Sequence, residues 1–287
     1  MKLEPGSLRS KTFVVTGANQ GIGLQAAQAF ARAGADLVMV CRSRDKGEAA
    51  QRDLERVAQG GSVRLFVADV SLKADCKRVC EEIRAAVPRI DVLLNNAGVL
   101  ATSYRKTPEG HEHTYATNHL GYYGMALGLL PRLRENGGGR IVNVSSMAHM
   151  NARIDWSDLE LERGFTPWRA YANSKIFNIL FTHELAKRTA GMGVTVNCLH
   201  PGVVATGFGQ TDGGFTARLV KLVAPFLTKA EDGAKTSIFL CTSPKVAAVT
   251  GKYFADSKEK TPRRAARNDE SAAKLWAASE RATGLTV

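Results

Sequence analysis

Thr12-Phe13-Val14-Val15-Thr16-Gly17-Ala18-Asn19-Gln20-Gly21-Ile22-Gly23 is the stretch on which the architecture turns. Its first five residues are β-branched or aromatic and read as a strand. The glycines after them open a helix predicted over Gly21–Ala33, with Gly34 as its stop. The same alternation continues outward from that turn. Strands are predicted at Leu37–Cys41, Val63–Ala68, Ile90–Leu94, Arg140–Val144, Val194–Leu199 and Gly251–Phe254. Helices are predicted over Lys46–Ala58, Leu72–Val87, Glu109–Arg134, Trp168–Thr189 and Glu231–Cys241. Several of the strands are apolar on both faces, as in a parallel sheet covered by helices on each side. The expectation is an α/β chain built as one doubly wound domain over residues 1–287, with a mostly or fully parallel sheet of about seven strands. No Pro/Gly/Ser linker and no internal repeat divides it. An apolar segment at about 205–230 reads as a lid over a hydrophobic substrate or as an amphipathic packing helix. It carries Phe208, Phe215, Leu219, Val220, Leu222, Val223, Phe226 and Leu227. A basic tail follows at about 258–287, in which Ala272–Ala278 reads as a surface helix.

Composition narrows the function classes. Of 287 residues, 44% are apolar and 23% charged, an ordinary globular balance that argues against disorder. Lys and Arg outnumber Asp and Glu by 39 to 27, a net charge of +12. The excess is diffuse: residues 1–60 hold nine basic and six acidic side chains, and residues 258–287 hold seven and four. With no basic stripe interleaved with aromatics, no nucleic-acid partner is expected, and the charge suits an anionic cofactor. Met1-Lys2-Leu3-Glu4-Pro5-Gly6 has no apolar core behind a basic start. Leu120–Leu130, the longest mostly apolar stretch, falls well short of the roughly 18 residues a span needs. Neither a signal peptide nor a transmembrane anchor is expected. The five cysteines, Cys41, Cys76, Cys80, Cys198 and Cys241, form no disulfide framework, and Cys76 and Cys80 read as packing on a helix. A reduced, cytoplasmic setting follows. His111 and His113 around Glu112, and His119 and His200, read as structural, and no metal site is expected.

The glycine turn is the first chemical signal. Glycines after a strand let the backbone turn tightly and approach a pyrophosphate, whose charge sits on free N–H groups at the helix N-terminus. This makes a Rossmann-type site of Gly17, Asn19, Gln20, Gly21, Ile22 and Gly23. In that arrangement the residue that reads the ribose lies at the C-terminal end of the second strand. Asp36 precedes the strand and belongs to the opposite edge of the sheet. The strand instead ends in Cys41-Arg42-Ser43-Arg44, where an arginine pairs with a 2′-phosphate, so NADP(H) is favoured over NAD(H).

Further on stand Asp69-Val70, Asn95-Asn96-Ala97-Gly98, Asn118, Ser145-Ser146, Tyr171-Ala172-Asn173-Ser174-Lys175 and Pro201-Gly202-Val203-Val204-Ala205-Thr206. With these in order over about residues 10–255, the chain resembles the short-chain dehydrogenase/reductase family. It is most similar to the retinol-dehydrogenase-like branch. Cys41-Arg42, Val142–His149, Asn178–Ala186, Gly251-Lys252-Tyr253-Phe254 and the 25-residue gap from Ser146 to Tyr171 carry that finer likeness.

The resemblance implies a site formed by Asn118, Ser146, Tyr171 and Lys175. Tyr171 and Lys175, four apart, share a helix face. A free tyrosine titrates near about 10 and is a poor acid–base group at neutrality. The Lys175 ammonium, helped by an oxidised nicotinamide, is expected to lower that value. Lys175 would also hold the nicotinamide ribose. Ser145 and Ser146 point to opposite sides, and the family's register selects Ser146 to donate to the substrate oxygen. Asn118 would anchor a water relaying protons from Lys175. Asp69 and Val70 would flank the adenine, and Asn96, Ala97 and Gly98 would line the adenosine. Pro201, Gly202, Val204 and Thr206 would hold the carboxamide. The implied activity is that of an NADP(H)-dependent alcohol dehydrogenase or carbonyl reductase. It would move hydride between the nicotinamide and a carbonyl/alcohol pair, in the reducing direction on a small lipophilic aldehyde or ketone, retinal-like substrates included. The alternative is a dinucleotide-binding regulatory or scaffold protein without turnover. Homo-oligomerisation stays open.

Overall fold

The computed structural model describes residues 3–202 and 230–287. β1 (Thr12–Thr16) is wholly buried, and its side chains alternate between two cores. Phe13 and Val15 pack with Ala26, Ala27, Phe30 and Ala31 of α1 (Gly21–Arg32), whereas Val14 packs with Val79, Ile83 and Leu93 on the other face. Phe13 and Phe30 bring their ring centroids to 4.4 Å. This two-sided burial is what the apolar strands required.

β1 pairs in parallel with β2 (Asp36–Cys41) and with β4 (Val92–Asn95). β3 (Val63–Val67), β5 (Arg140–Val144), β6 (Thr195–Leu199), β7 (Tyr253–Ala255) and β8 (Lys258–Lys260) complete a sheet in the order β3-β2-β1-β4-β5-β6-β7-β8. The chain order reverses between β1 and β4, which opens a crevice at their C-terminal ends. The sheet is parallel except for β8, which returns antiparallel on β7. This eighth strand was not expected: Lys258-Glu259-Lys260 is fully polar, and its exposed edge position needs no apolar face.

The helices are α2 (Arg44–Val57), α3 (Lys73–Ala86), α4 (Gly121–Glu135), α5 (Pro167–Arg188), α6 (Ala230–Thr242) and α7 (Asp269–Thr283). The helix expected from Glu109 starts later. Glu109 accepts from the Lys73 and Ala74 amides of α3, and Glu112 caps a short helical turn, His113–Tyr115, by accepting from the Thr114 and Tyr115 amides. A π-turn, Ala116–Leu120, then leads into α4. The expected strand at Ile90 likewise begins at Val92, because the Asp91 carboxylate turns back to accept from the Thr12 amide.

The tail corrects a second expectation. Ala272–Ala278 lies within α7, and α7 is no surface helix: Ala272, Leu275, Trp276 and Ser279 are all buried. Asn268 accepts from the Ser271 amide at one end, and Gly284 closes the other in the left-handed region (φ 72°). The Trp276 ring stacks on Phe181 of α5 at 6.1 Å, with the Arg188 guanidinium 4.3 Å from its centroid. Asp269 binds His183 and Lys187 of α5, each at 2.6 Å. The alanine-rich sequence hid this docking, since its apolar stripe is only one residue wide per turn. Val204, Thr206 and the apolar segment expected over about 205–230, apart from Ala230, lie outside the described residues.

Because Trp276 carries the largest side chain of this seam, Trp276→Ala should lower unfolding stability by about 3–5 kcal/mol, read from denaturant midpoints. A loss below about 1 kcal/mol would mean that α7 contributes little to the fold.

Candidate active site

The glycine turn is bolted to the neighbouring strand end. The Thr16 hydroxyl oxygen accepts from the Asn96 and Ala97 amides (2.9 and 3.0 Å), and Asn96 Nδ2 donates to the carbonyls of Thr16 and Gly17 (3.0 and 3.3 Å). Gly17 has φ +68°, and a Cβ there would stand 3.0 Å from Ala97 Cα. A Cβ on Gly23 would collide with the Asn96 amide and the Gly17 carbonyl. These glycines therefore hold the turn open and close to β4. At the start of α1, Gln20 makes no side-chain capping bond and the first turn carries no acid. An uncapped helix start behind a glycine turn is the donor set that a dinucleotide pyrophosphate requires, so these residues fit one.

At the end of β2, Arg42 is exposed, with Nη1 3.9 Å from Asp69 Oδ2. At that length and exposure the ion pair leaves Arg42 free to take a phosphate. Asp36 lies at the other end of the strand, where its carboxylate accepts from the Ser62 amide and hydroxyl (2.9 and 2.6 Å). Asp69 accepts from the Ser71 amide and hydroxyl, and Val70 beside it is buried.

Ser146, Tyr171, Lys175 and Asn118 converge beyond the ends of β4 and β5. The Tyr171 and Ser146 hydroxyls hydrogen-bond to each other. Lys175 Nζ lies 5.4 Å from the Tyr171 ring centroid and donates to the Val144 carbonyl (3.2 Å). Asn118 Oδ1 accepts from the Val99 amide (2.7 Å), while Nδ2 donates to the Val99 carbonyl and to Ser174 Oγ (both 2.9 Å). Ser174 Oγ in turn donates to the Tyr171 carbonyl (2.7 Å), which links Asn118 to the helix turn bearing Tyr171. Gly98 lies between the two branches: a Cβ there would make ordinary contacts, 3.4 Å from Asn118 Oδ1 and 3.6 Å from Lys175 Nζ. Ser145 faces away, as the alternation required. It is buried and donates to the Lys175 carbonyl (2.7 Å).

The electrostatics of the chain by itself differ from the expectation. Burial pushes the Tyr171 hydroxyl up to about 12, the hydrogen bond from Ser146 opposing it, and pushes the Lys175 ammonium down to about 7. Desolvation of both groups outweighs the attraction of Lys175 for a tyrosinate. Tyr171 therefore carries its proton at neutral pH, and Lys175 titrates close to it.

Sequence motifs did not reveal three supports. His149 Nδ1 lies 2.7 Å from the Ser146 carbonyl, so that nitrogen holds the ring proton. Arg263 Nη1 donates to the Met150 and Ala152 carbonyls (2.9 and 2.8 Å) and so braces the 3-10 turn that follows Ser146. His200 Nδ1 meets the Tyr253 hydroxyl at 2.6 Å, just before Pro201 and Gly202. Arg263 is 113 residues from Met150, a separation across which no local pattern carries a signal. His111 contacts Glu160, and Cys76 and Cys80 are buried packing residues, as expected. Among the described residues no group of three or more His, Cys, Asp or Glu side chains is placed to hold a metal ion.

Comparison with known proteins shows the family. The short chain dehydrogenase family profile matches residues 11–213. Retinol dehydrogenase 14 of Homo sapiens is 37% identical, over 98% of this chain and 89% of its own length. Among solved structures, an uncharacterized protein from Mycobacterium Paratuberculosis is 33% identical with a TM-score of 0.79, covering 98% of this chain and 96% of that one. L-sorbose reductase from Gluconobacter frateurii, complexed with NADPH and L-sorbose, is 25% identical with a TM-score of 0.68, covering 88% and 96%. With its glycine turn, its Tyr171/Lys175 pair and this extent of similarity, the chain belongs to the short-chain dehydrogenase family and is an oxidoreductase of retinol-dehydrogenase-like type.

Proposed function

We propose that the chain is one NADP(H)-binding domain that reduces a lipophilic aldehyde or ketone, retinal-like compounds among them, in the cytoplasm. The observation that carries this reading is the convergence of Ser146, Tyr171, Lys175 and Asn118 beside the glycine turn. Arg42 at the end of β2 would take the 2′-phosphate, Asp69 and Val70 would flank the adenine, and Asn96, Ala97 and Gly98 would line the adenosine. Lys175 would hold the ribose of the nicotinamide, with Pro201 and Gly202 beside its carboxamide. The bound nicotinamide supplies the hydride.

The chain's own residues then manage the proton. Ser146 donates a hydrogen bond to the carbonyl oxygen and stabilises the charge that grows there. Tyr171, protonated at neutral pH, the form that carbonyl reduction requires, gives its hydroxyl proton to that oxygen. The tyrosinate left behind takes a proton from the Lys175 ammonium, whose own low value makes it a ready donor. Asn118 fixes the Val99 backbone beside that path. A lipophilic substrate is supported by the exposed Tyr104, Met147, Met150 and Trp168, which lie in the segments that follow β4 and β5 and in the first turns of α5. The similarity to a retinol dehydrogenase points the same way. Among the described residues no helix is long and apolar enough to cross a membrane.

Purified protein should bind NADPH and oxidise it against some member of a panel of aldehydes and ketones that includes retinal. Tyr171→Phe should keep NADPH binding and lose about 10²–10⁴-fold in turnover. Tight binding with no turnover on a broad panel would favour a cofactor-sensing protein instead. Arg42→Asp should weaken NADPH relative to NADH by about tenfold or more, and unchanged preference in paired titrations would remove the case for NADP(H). Ser146→Ala should cut turnover by about 10²–10³-fold, whereas Ser145→Ala should cost about 1 kcal/mol of stability with turnover nearly intact. The reverse order in steady-state kinetics would exchange their roles.

A further inference from the structure

Ser279 belongs to no motif and lies 160 residues after His119, yet its hydroxyl is a junction between α7 and the turn that bears Asn118. Ser279 is fully buried. Its single hydroxyl hydrogen goes to the Leu275 carbonyl at 2.8 Å. The contact with His119 Nε2, at 2.7 Å, is therefore accepted by one of its lone pairs. His119 must then carry its proton on Nε2, and its Nδ1 is buried without a partner. Burial pushes the imidazole down to about 3, so the ring stays neutral and the assignment holds across the physiological range. The donor belongs to the entry of α4: His119 sits within the π-turn. Asn118, the residue before it, makes its hydrogen bonds to Val99 and Ser174.

A π-turn is a costly local geometry that tends to survive where outside contacts hold it. The rings of Tyr115, His119 and Phe177 pack on one another at 5.4–5.8 Å, which supplies bulk without fixing a register. Ser279 supplies direction, because a hydroxyl that donates to its own helix and accepts from the imidazole fixes where that ring must sit. Removing it would leave a buried imidazole donor unsatisfied, and the turn could relieve it only by moving.

We propose that Ser279 is a positioning residue: by accepting a hydrogen bond from His119 it holds the Ala116–Leu120 π-turn in the register that presents Asn118 to Val99 and Ser174. Its effect on turnover rests on the reductase reading given above, whereas its effect on the turn does not. The test is hydrogen exchange on the full chain, resolved at the Val99 amide and over residues 116–121, together with NADPH-dependent turnover. Three proteins are compared: wild type, Ser279→Ala, and Trp276→Ala, which strips packing from the same helix and leaves the hydroxyl in place. Ser279→Ala should lose protection at Val99 and through the π-turn, and turnover should fall about tenfold to a hundredfold with little change in the KM for NADPH. Trp276→Ala should keep both, even with an equal or larger drop in Tm. Should Ser279→Ala fail to fold, Ser279→Cys keeps the size, weakens the acceptor and should show the same pattern in milder form. Unchanged protection at Val99 in the serine variants, or an equal loss in Trp276→Ala, would overturn the proposal. If the wild type reduces no carbonyl while the exchange pattern appears as stated, the reductase reading fails and the positioning role stands.

Discussion

The hydroxyl of Thr16 accepts two backbone amides, those of Asn96 and Ala97, across the point where the strand order reverses. Without that junction the end of β4 would carry unpaired amides at a crevice, where no ladder bond is left to take them. With it, the glycine turn and the Asn-Asn-Ala-Gly segment become one rigid rim. Two of the glycines follow from this closeness, since Gly17 and Gly23 each stand where a Cβ would press on a neighbour. The apolar, two-faced strands supply the platform, and the polar chemistry is confined to the residues just past their C-terminal ends.

Past that rim, desolvation governs the chemistry. Lys175 and Tyr171 share a helix face, and proximity alone would favour the ion pair of ammonium and tyrosinate. Burial acts on both partners in the opposite sense and prevails in the chain by itself. The outcome is a tyrosine that holds its proton and a lysine that gives one up near neutrality. The hydrogen bonds around them are correspondingly few and directional: Val144 holds the lysine head, Ser146 the tyrosine, and Ser174 joins the tyrosine's turn to Asn118.

Much of this was legible in the residues. The strand–glycine–helix order, the parallel sheet and the partition of Ser145 from Ser146 follow from patterns of period two and 3.6 and from short motifs. Interactions joining distant parts of the chain were not legible. The tail of the chain is the clearest case. Its charge suggested a solvated helix, because alanines and one tryptophan carry little periodic signal, and the surface that Trp276 fills is built by Phe181 and Tyr123 far upstream. Arg263 on the carbonyls after Ser146 and Ser279 on His119 are likewise single contacts, each between residues more than a hundred positions apart. The π-turn escaped notice for a different reason, since a helix pattern in sequence does not show an added residue in one turn.

The docking of α7 also has a consequence for how the molecule is made. During synthesis the groove on α5 and the Nε2 donor of His119 have no partner until the stretch from Asn268 onward has left the ribosome. Up to that moment a nearly complete sheet carries an open aromatic seam, with Phe181, Tyr123 and the π-turn exposed to whatever else is sticky in the cell. Contacts of such long sequence separation form late and slowly. The turn that bears Asn118 would thus be among the last parts of the nascent chain to settle, and a stalled or clipped chain would be a client for chaperones well before it reached its final packing.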